Sequence, residues 1–437
     1  TRAPPQAPSG RPSALIRAEW ILPVEGPVVR GGGVLVQDGS IVAVGRERDL
    51  PPCDDVPVTD LGDAILIPGL VDAHCHLEWA LMGGLVPDAR FGEWLGAFVH
   101  RTAGVTPEDR RAAARYAALV AVRNGTTTLA DSGPSGFGAA AAGEAGQRAI
   151  VYMEIFGRDT GSDAREKVAR HGEALLQARE QAGPRVVIGT SPHSPYTVGP
   201  ELWSEVLGDP ILGAGPIAAH VAESPDEVML LDDEMGPLVE AIRSVGRDPA
   251  RWPGGGPGVV PRLAHAGALA PGLVAAHCVQ VDEEAAGMLA AHDVRMAHCP
   301  HSNARLQCGD APIELLDAAG VVIGLGTDSP ASVCPARFTG IGNVTYGASR
   351  LLLSNFAAAH AVTESAMPRT YDARFGSPVL IPERSKFGRL IRPSPPRRCR
   401  RSRCHSPRCS CTAPRHRHAS RQRCQRTMNP SLDRPHR

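Results

Sequence analysis

The sequence predicts an α/β protein, a (β/α)8 barrel with a small β-sandwich domain built mainly from the N-terminal segment. Three observations carry this reading. From about residue 68, strand-like apolar runs alternate with helix-like segments, which argues for parallel strands joined by crossover helices. Eight such runs can be picked out. Each has a polar group at or just after its end, and in a barrel the C-terminal strand ends build the active site. A doubly wound sheet could also use eight strands, but it would not gather chemistry from every strand end into one ring.

Residues 1–67 read as a β unit. Short strands are predicted at 14–18, 33–37 and 41–44, with Asp38-Gly39 as a hairpin turn between the last two. The apolar run Ala64-Ile65-Leu66-Ile67 is cut from the next by Pro68-Gly69, because a proline argues against one continuous central strand. The barrel is expected over 68–388. Its candidate strands are 70–73, 126–130, 149–155, 186–190, 216–219, 273–276, 294–297 and 321–326. Their end groups, in order, are His74 with His76, Asp131, Glu154, His193, His220, His277, His298 and Asp328. One helix starts clearly: Thr106 caps, Pro107 takes the first helical position, and Asp109 completes a capping-box pattern before an Ala-rich stretch to about Arg123. From about residue 335 the character changes, and 389–437 reads as a basic tail, disordered or translated out of frame.

Composition narrows the function classes. The chain has 437 residues, 43% hydrophobic and 21% charged, enough for a large core plus a small domain. No run of 18 apolar residues exists, so no membrane span is expected. The Pro-rich segment Thr1 to Gly10 lacks the apolar core of a signal peptide, and the protein reads as cytoplasmic. The zero net charge conceals an asymmetry: fifteen Arg and one acid, Asp433, lie in residues 389–437. The remainder is acidic, which argues against nucleic acid as the main partner. A small-molecule substrate is expected, and a homodimer is left open. Of eleven Cys, the six before Pro335 show no pairing pattern and read as buried free thiols.

His74 and His76 are two residues apart on an extended chain, so both imidazoles point the same way and can reach one metal ion. With His220 and Asp328 they form a mixed N/O ligand set that suits one divalent ion, Zn2+ or alternatively Fe2+. Glu223 follows His220 by three residues and can sit beside the activated water without ligating the ion, moving its proton to a leaving nitrogen. The alternative for Glu223 is an acid at a helix N-terminus. His277 could polarise the attacked ring or orient the water. His193 could contact substrate, and Glu78 and Trp79 would line the mouth or, equally, fill an ordinary packing or surface role. Ser302 and Asn303, in the loop after His298, would shape the pocket or cap a helix. An arginine such as Arg158 or Arg305 could hold a substrate carboxylate, although a surface arginine is the commoner case.

The ordered motifs are His74-Cys75-His76-Leu77-Glu78, Ser191-Pro192-His193, His220-Val221-Ala222-Glu223-Ser224, His277, His298-Cys299-Pro300-His301-Ser302-Asn303 and Gly326-Thr327-Asp328-Ser329. Together they resemble the amidohydrolase superfamily, in the aminohydrolase branch with aminofutalosine deaminase and methylthioadenosine/S-adenosylhomocysteine deaminase-like proteins. The resemblance implies a mononuclear metal on His74, His76, His220 and Asp328, with Glu223 as proton shuttle and His277 as second acid/base group. Asp328 would also help take the water's proton. One metal fits the sequence independently, because binuclear members use a modified lysine and this chain has none between Lys167 and Lys386. The segment after Asp328 departs from the family pattern. The expected activity is hydrolytic deamination of an amino-heterocycle, an adenine-nucleoside-like substrate such as aminofutalosine. A chlorohydrolase or amide hydrolase could use the same site, and an inactive truncated or frameshifted product is the third reading. The unrelated zinc nucleobase deaminases are set aside, since their P-C-x-x-C motif is missing.

Overall fold

The computed structural model describes residues 13–52, 56–333 and 379–382. The chain divides into two compact units, Thr1–Ser385 and Lys386–Arg437. All described elements belong to the first. The expected basic tail lies outside the described residues, as does most of the segment after 333.

Five strands precede the barrel: β1 (Ala14–Ile21), β2 (Val29–Gln37), β3 (Ser40–Arg46), β4 (Val58–Asp60) and β5 (Ala64–Ile67). They form one mixed sheet in the order β5-β1-β2-β3, with β4 beside β1. β2 and β3 are joined by Asp38-Gly39, both at positive φ (52° and 76°), the two-residue turn whose twist matches antiparallel strands. Ala18, Ile21, Val34 and Leu66 form its buried cluster. One further strand, Val379–Pro382, pairs antiparallel with β5, so chain from beyond the barrel returns to this sheet. Among the described residues these strands make a single sheet; the second layer of the expected sandwich is not seen there.

The next eight strands are β6 (Leu70–Cys75), β7 (Thr126–Gly133), β8 (Arg148–Ile155), β9 (Val186–Pro192), β10 (Ala218–Val221), β11 (Val274–His277), β12 (Arg295–His298) and β13 (Ile323–Leu325). They match the eight expected runs, with ends moved by a few residues. They pair in parallel in two groups of four, β6 to β9 and β10 to β13. Both seams between the groups are bridged. At β9/β10, Thr190 N donates to Pro216 O (3.0 Å) and His220 N to His193 O (2.8 Å). At β13/β6, Asp328 N donates to His74 O (2.9 Å) and His76 N to Asp328 O (3.0 Å). The sheet therefore closes on itself as a barrel.

Its interior holds a cluster of mostly small residues, Ala73, Ala130, Ile150, Tyr152, Ala218, Val274 and Ala297. Neighbouring positions on the same strands, such as Ala149, Val151, Ala219 and Ala275, join the larger core that includes helix residues. This is the period-two alternation of a strand buried on both faces.

Helix Pro107–Arg123 begins as expected. Thr106 Oγ1 accepts from Asp109 N (3.2 Å), and Asp109 Oδ2 accepts from Thr106 N (3.0 Å). Thr106→Ala removes one side of this exchange and is expected to lower unfolding free energy by about 1 kcal/mol. The check is the urea midpoint at unchanged slope.

Candidate active site

The strand ends converge on one cluster. β6 carries His74, with His76 just past its end; β10 carries His220, and Asp328 lies just beyond β13. All four are buried. His76 Nε2 is 3.2 Å from His220 Nε2 and 3.3 Å from Asp328 Oδ1, and His74 Nε2 is 3.8 Å from that oxygen. The three imidazoles form a group that could hold a metal ion. Hydrogen bonds on the far side of the rings fix how they face. His76 Nδ1 donates to Ser132 O (2.8 Å) and His220 Nδ1 to His193 O (2.9 Å). A carbonyl only accepts, so in the neutral rings both Nε2 atoms carry lone pairs, and these face each other. His74 Nε2 is buried with no hydrogen-bond partner. Burial holds His74 and His220 well below the ordinary histidine value, in the neutral form a metal needs. Two lone pairs, the unpartnered Nε2 of His74 and a carboxylate oxygen meeting at one point fit a divalent cation.

Asp328 is held from two sides. Ser332 Oγ donates to its Oδ2 (2.8 Å). Asp72, in the middle of β6, accepts from Thr327 N (2.9 Å) and Thr327 Oγ1 (2.5 Å). Burial pushes Asp72 up to about 7, against the Thr327 bonds that pull it down. Burial also pushes Asp328 up, but His76, His277 and His74 around it bring it below the usual value. A Cβ on Gly326 would stand 2.8 Å from Cys299 Sγ and 2.9 Å from His74 O, so the approach of Gly326-Thr327-Asp328 to β6 requires glycine. Ala222, His277, Cys278 and Asp328 all have positive φ (52°, 76°, 45° and 59°), and each lies at or just past a barrel strand end. Such non-glycine conformations cluster where a fold aims functional groups.

Glu223 and His277 stand beside Asp328 in a second group. His277 Nδ1 donates to Asn303 Oδ1 (2.9 Å), which leaves Nε2 facing Glu223 Oε1 at 3.6 Å. Burial pushes Glu223 well above the usual carboxylate range, with Asp328 and Glu227 adding to it. Its backbone N–H donates to Glu227 Oε2 (2.7 Å). Ser224, not Glu223, is the N-cap of helix Pro225–Asp233, and the acids of its first turn are Asp226 and Glu227. Glu223 thus lies one residue before the cap, outside the helix itself.

A cavity of about 370 Å3 opens above these groups. Its floor includes His76, His220, Glu223, His277 and Asp328. Its outer wall is apolar and aromatic, with Trp79, Phe91, Trp94, Phe98 and Ile242 from helices laid over the mouth. Helix Phe91–Thr102 is pinned there by Asp226, which accepts from Gly92 N (2.9 Å) and pairs with Arg90. His193 lines the cavity, its Nδ1 bonded to Ser194 and Thr197 hydroxyls (2.9 Å each), and burial pushes it down to about 3.

Several expected contacts fall elsewhere. Glu78 is fully buried beneath the wall, and its Oε1 accepts from Ser135 N (3.1 Å) and Phe137 N (3.2 Å). It braces the turn after β7 and does not line the mouth. Ser302 and Asn303 lie inside helix Pro300–Arg305, whose N-cap is Cys299, so neither caps it and neither lines the cavity. Arg158 pairs with Asp248 (3.3 Å), and Arg305 pairs with Asp88 (2.7 Å) while donating to Ala331 O and Val86 O. The arginine that lines the cavity is Arg247, which no sequence signal singled out. Asp72 was also missed, although an acid within an apolar strand is itself a signal. Cys75, Cys278, Cys299 and Cys308 are buried free thiols, as expected; Cys53 and Cys334 lie outside the described residues.

The sequence pattern of the amidohydrolase family matches residues 65–365. The chain belongs to this family, whose members are metal-dependent. It is 33% identical over 330 residues to a 5-methylthioadenosine/S-adenosylhomocysteine deaminase of Pelotomaculum thermopropionicum, covering 73% of this chain and 70% of the relative. It is 30% identical over 322 residues to a 5'-deoxyadenosine deaminase of Methanothermobacter thermautotrophicus, with the same coverage of 73% and 70%. An adenosine deaminase from Xanthomonas campestris with bound zinc superposes with TM-score 0.60 at 26% identity, over 81% of this chain and 74% of that one. Helicobacter pylori aminofutalosine deaminase in complex with methylthio-coformycin shares the fold, with TM-score 0.62 at 18% identity, over 73% and 78%.

His74→Ala removes one of the four converging side chains that could hold a metal ion. Purified wild-type protein is expected to carry about one divalent ion per chain, and the variant well under half of that, by elemental analysis. Equal content in both would contradict the ligand set.

Proposed function

We propose that the chain is a metal-dependent hydrolase that deaminates an adenine-nucleoside-like substrate. The observation that carries the reading is the placement of Glu223, His277 and Asp328 together beside the imidazole cluster, at the floor of an aromatic-walled cavity. The names of the relatives, deaminases of methylthioadenosine, S-adenosylhomocysteine and deoxyadenosine, support the substrate class. A hydrolase of carbon–nitrogen bonds follows from the same family. Among the described residues no helix is long and apolar enough to cross a membrane.

His74, His76, His220 and Asp328 would hold one ion, for which three imidazoles and a carboxylate favour Zn2+. When bound, such an ion supplies Lewis-acid activation of water at neutral pH. A single ion is supported by the lysine distribution: Lys167 lies on helix Gly161–Gln181, bonded to Phe156 O (3.0 Å) and Asp159. Glu223 takes a proton from the attacking water and delivers it to the ring nitrogen next to the reacting carbon. His277, its Nδ1–H given to Asn303, presents the Nε2 lone pair to the same region and orients the water by accepting a hydrogen bond from it. Asp328 accepts the second proton, which leaves with ammonia. The apolar wall excludes water from the ring and takes the substituent beyond the sugar.

Glu223→Gln keeps the shape and removes the proton carrier. Ammonia release from adenosine and 5-methylthioadenosine is expected to fall about 10²–10⁴-fold in kcat while metal content stays at the wild-type level. A variant within a few-fold of wild type would assign the proton transfer to another group.

A further inference from the structure

The carboxyl of Glu154 is used neither by the ligand set nor by the proton-transfer groups. It stands on β8 at alternate spacing from Ile150 and Tyr152 of the interior cluster, so its side chain shares their inward face. It is 7% exposed and lines the cavity. Its Oε1 is buried with no hydrogen-bond partner. His76 Nδ1 is 3.9 Å away, beyond hydrogen-bond reach, and that nitrogen already donates to Ser132 O. A buried carboxyl that faces a cavity without a partner is completed by what enters the cavity.

The position limits what that partner is. Glu223, His277 and Asp328 come from β10, β11 and the end of β13, and they surround the reacting carbon and its amino group. Glu154 approaches from β8, beside His193 and His220. Apart from the amino group at the reacting carbon, the edges of adenine carry acceptors and no donor. The ribose carries two adjacent hydroxyls, each able to donate and to accept. Hydroxyls satisfy the carboxyl in either protonation state.

We propose that Glu154 is a specificity-determining residue that binds the vicinal diol of the substrate's ribose. This rests on the nucleoside-deaminase reading above. It predicts that the enzyme discriminates ribonucleosides from their dideoxy counterparts, and that Glu154 is the source of the discrimination.

The test compares adenosine with 2′,3′-dideoxyadenosine on wild type, Glu154→Ala and Glu154→Gln, with metal content and unfolding midpoint measured on each. Wild type is expected to favour adenosine by about 10–100-fold in kcat/KM, the range of a hydrogen bond to a charged group, mainly through KM. In Glu154→Ala the two substrates converge, and Glu154→Gln, which still accepts, restores part of the preference. A wild-type enzyme that does not discriminate, or a Glu154→Ala variant that loses the same factor on both substrates or keeps the preference, overturns the assignment. Metal-loaded wild type that releases ammonia from neither nucleoside overturns the reaction itself and the assignment with it, an outcome separate from the others.

Discussion

The site depends on the closure of the barrel between β13 and β6. His74 and His76 lie at the end of the first barrel strand and Asp328 lies past the last, about 250 residues later in the chain. Two backbone hydrogen bonds between these same residues make the seam, so the contacts that close the barrel also bring these three side chains together. Asp72 reinforces the seam by taking both Thr327 donors. Removing that carboxylate would strand a buried amide and hydroxyl and let Asp328 drift from the imidazoles.

The same closure gathers groups that destabilise the fold when left alone. Three imidazoles and the carboxyls of Asp72, Glu154, Glu223 and Asp328 are all buried at this end of the barrel. Burial raises Asp72, Glu154 and Glu223 and lowers His74 and His220. Bound metal and bound substrate offset that penalty by satisfying lone pairs the protein leaves open, which couples ligand binding to stability. The backbone takes part as well, since the turned residues Ala222, His277 and Asp328 hold conformations that only a well-packed surround maintains.

Much of this was legible in the sequence. Apolar runs ending in a histidine or an acid mark all eight barrel strands, because a strand buried on both faces tolerates polarity only where it reaches the mouth. The capping box at Thr106 and the turn at Asp38-Gly39 are local chemistry and were read correctly. What failed was direction over distance. Glu78 sits two residues from His76, yet a 3-10 turn, Leu77–Met82, rotates it beneath the wall. Asn303 was read toward the substrate but is taken by His277. The apolar roof depends on helices Phe91–Thr102 and Pro237–Ser244 meeting across about 140 residues of chain, which no local pattern encodes. β4 is three exposed residues and has no hydrophobic signature.

Among the described residues the ligand set has one sulfur-containing competitor, which shares His74 with it: His74, His277 and Cys299 also lie close enough to hold an ion. X-ray absorption at the edge of the bound metal separates the two most directly. Ligation by His74, His76, His220 and Asp328 predicts a shell of nitrogen and oxygen only, at about 2.0–2.2 Å, with imidazole scattering from three rings. A sulfur neighbour at about 2.3 Å would place the ion on Cys299 and contradict the site as built here.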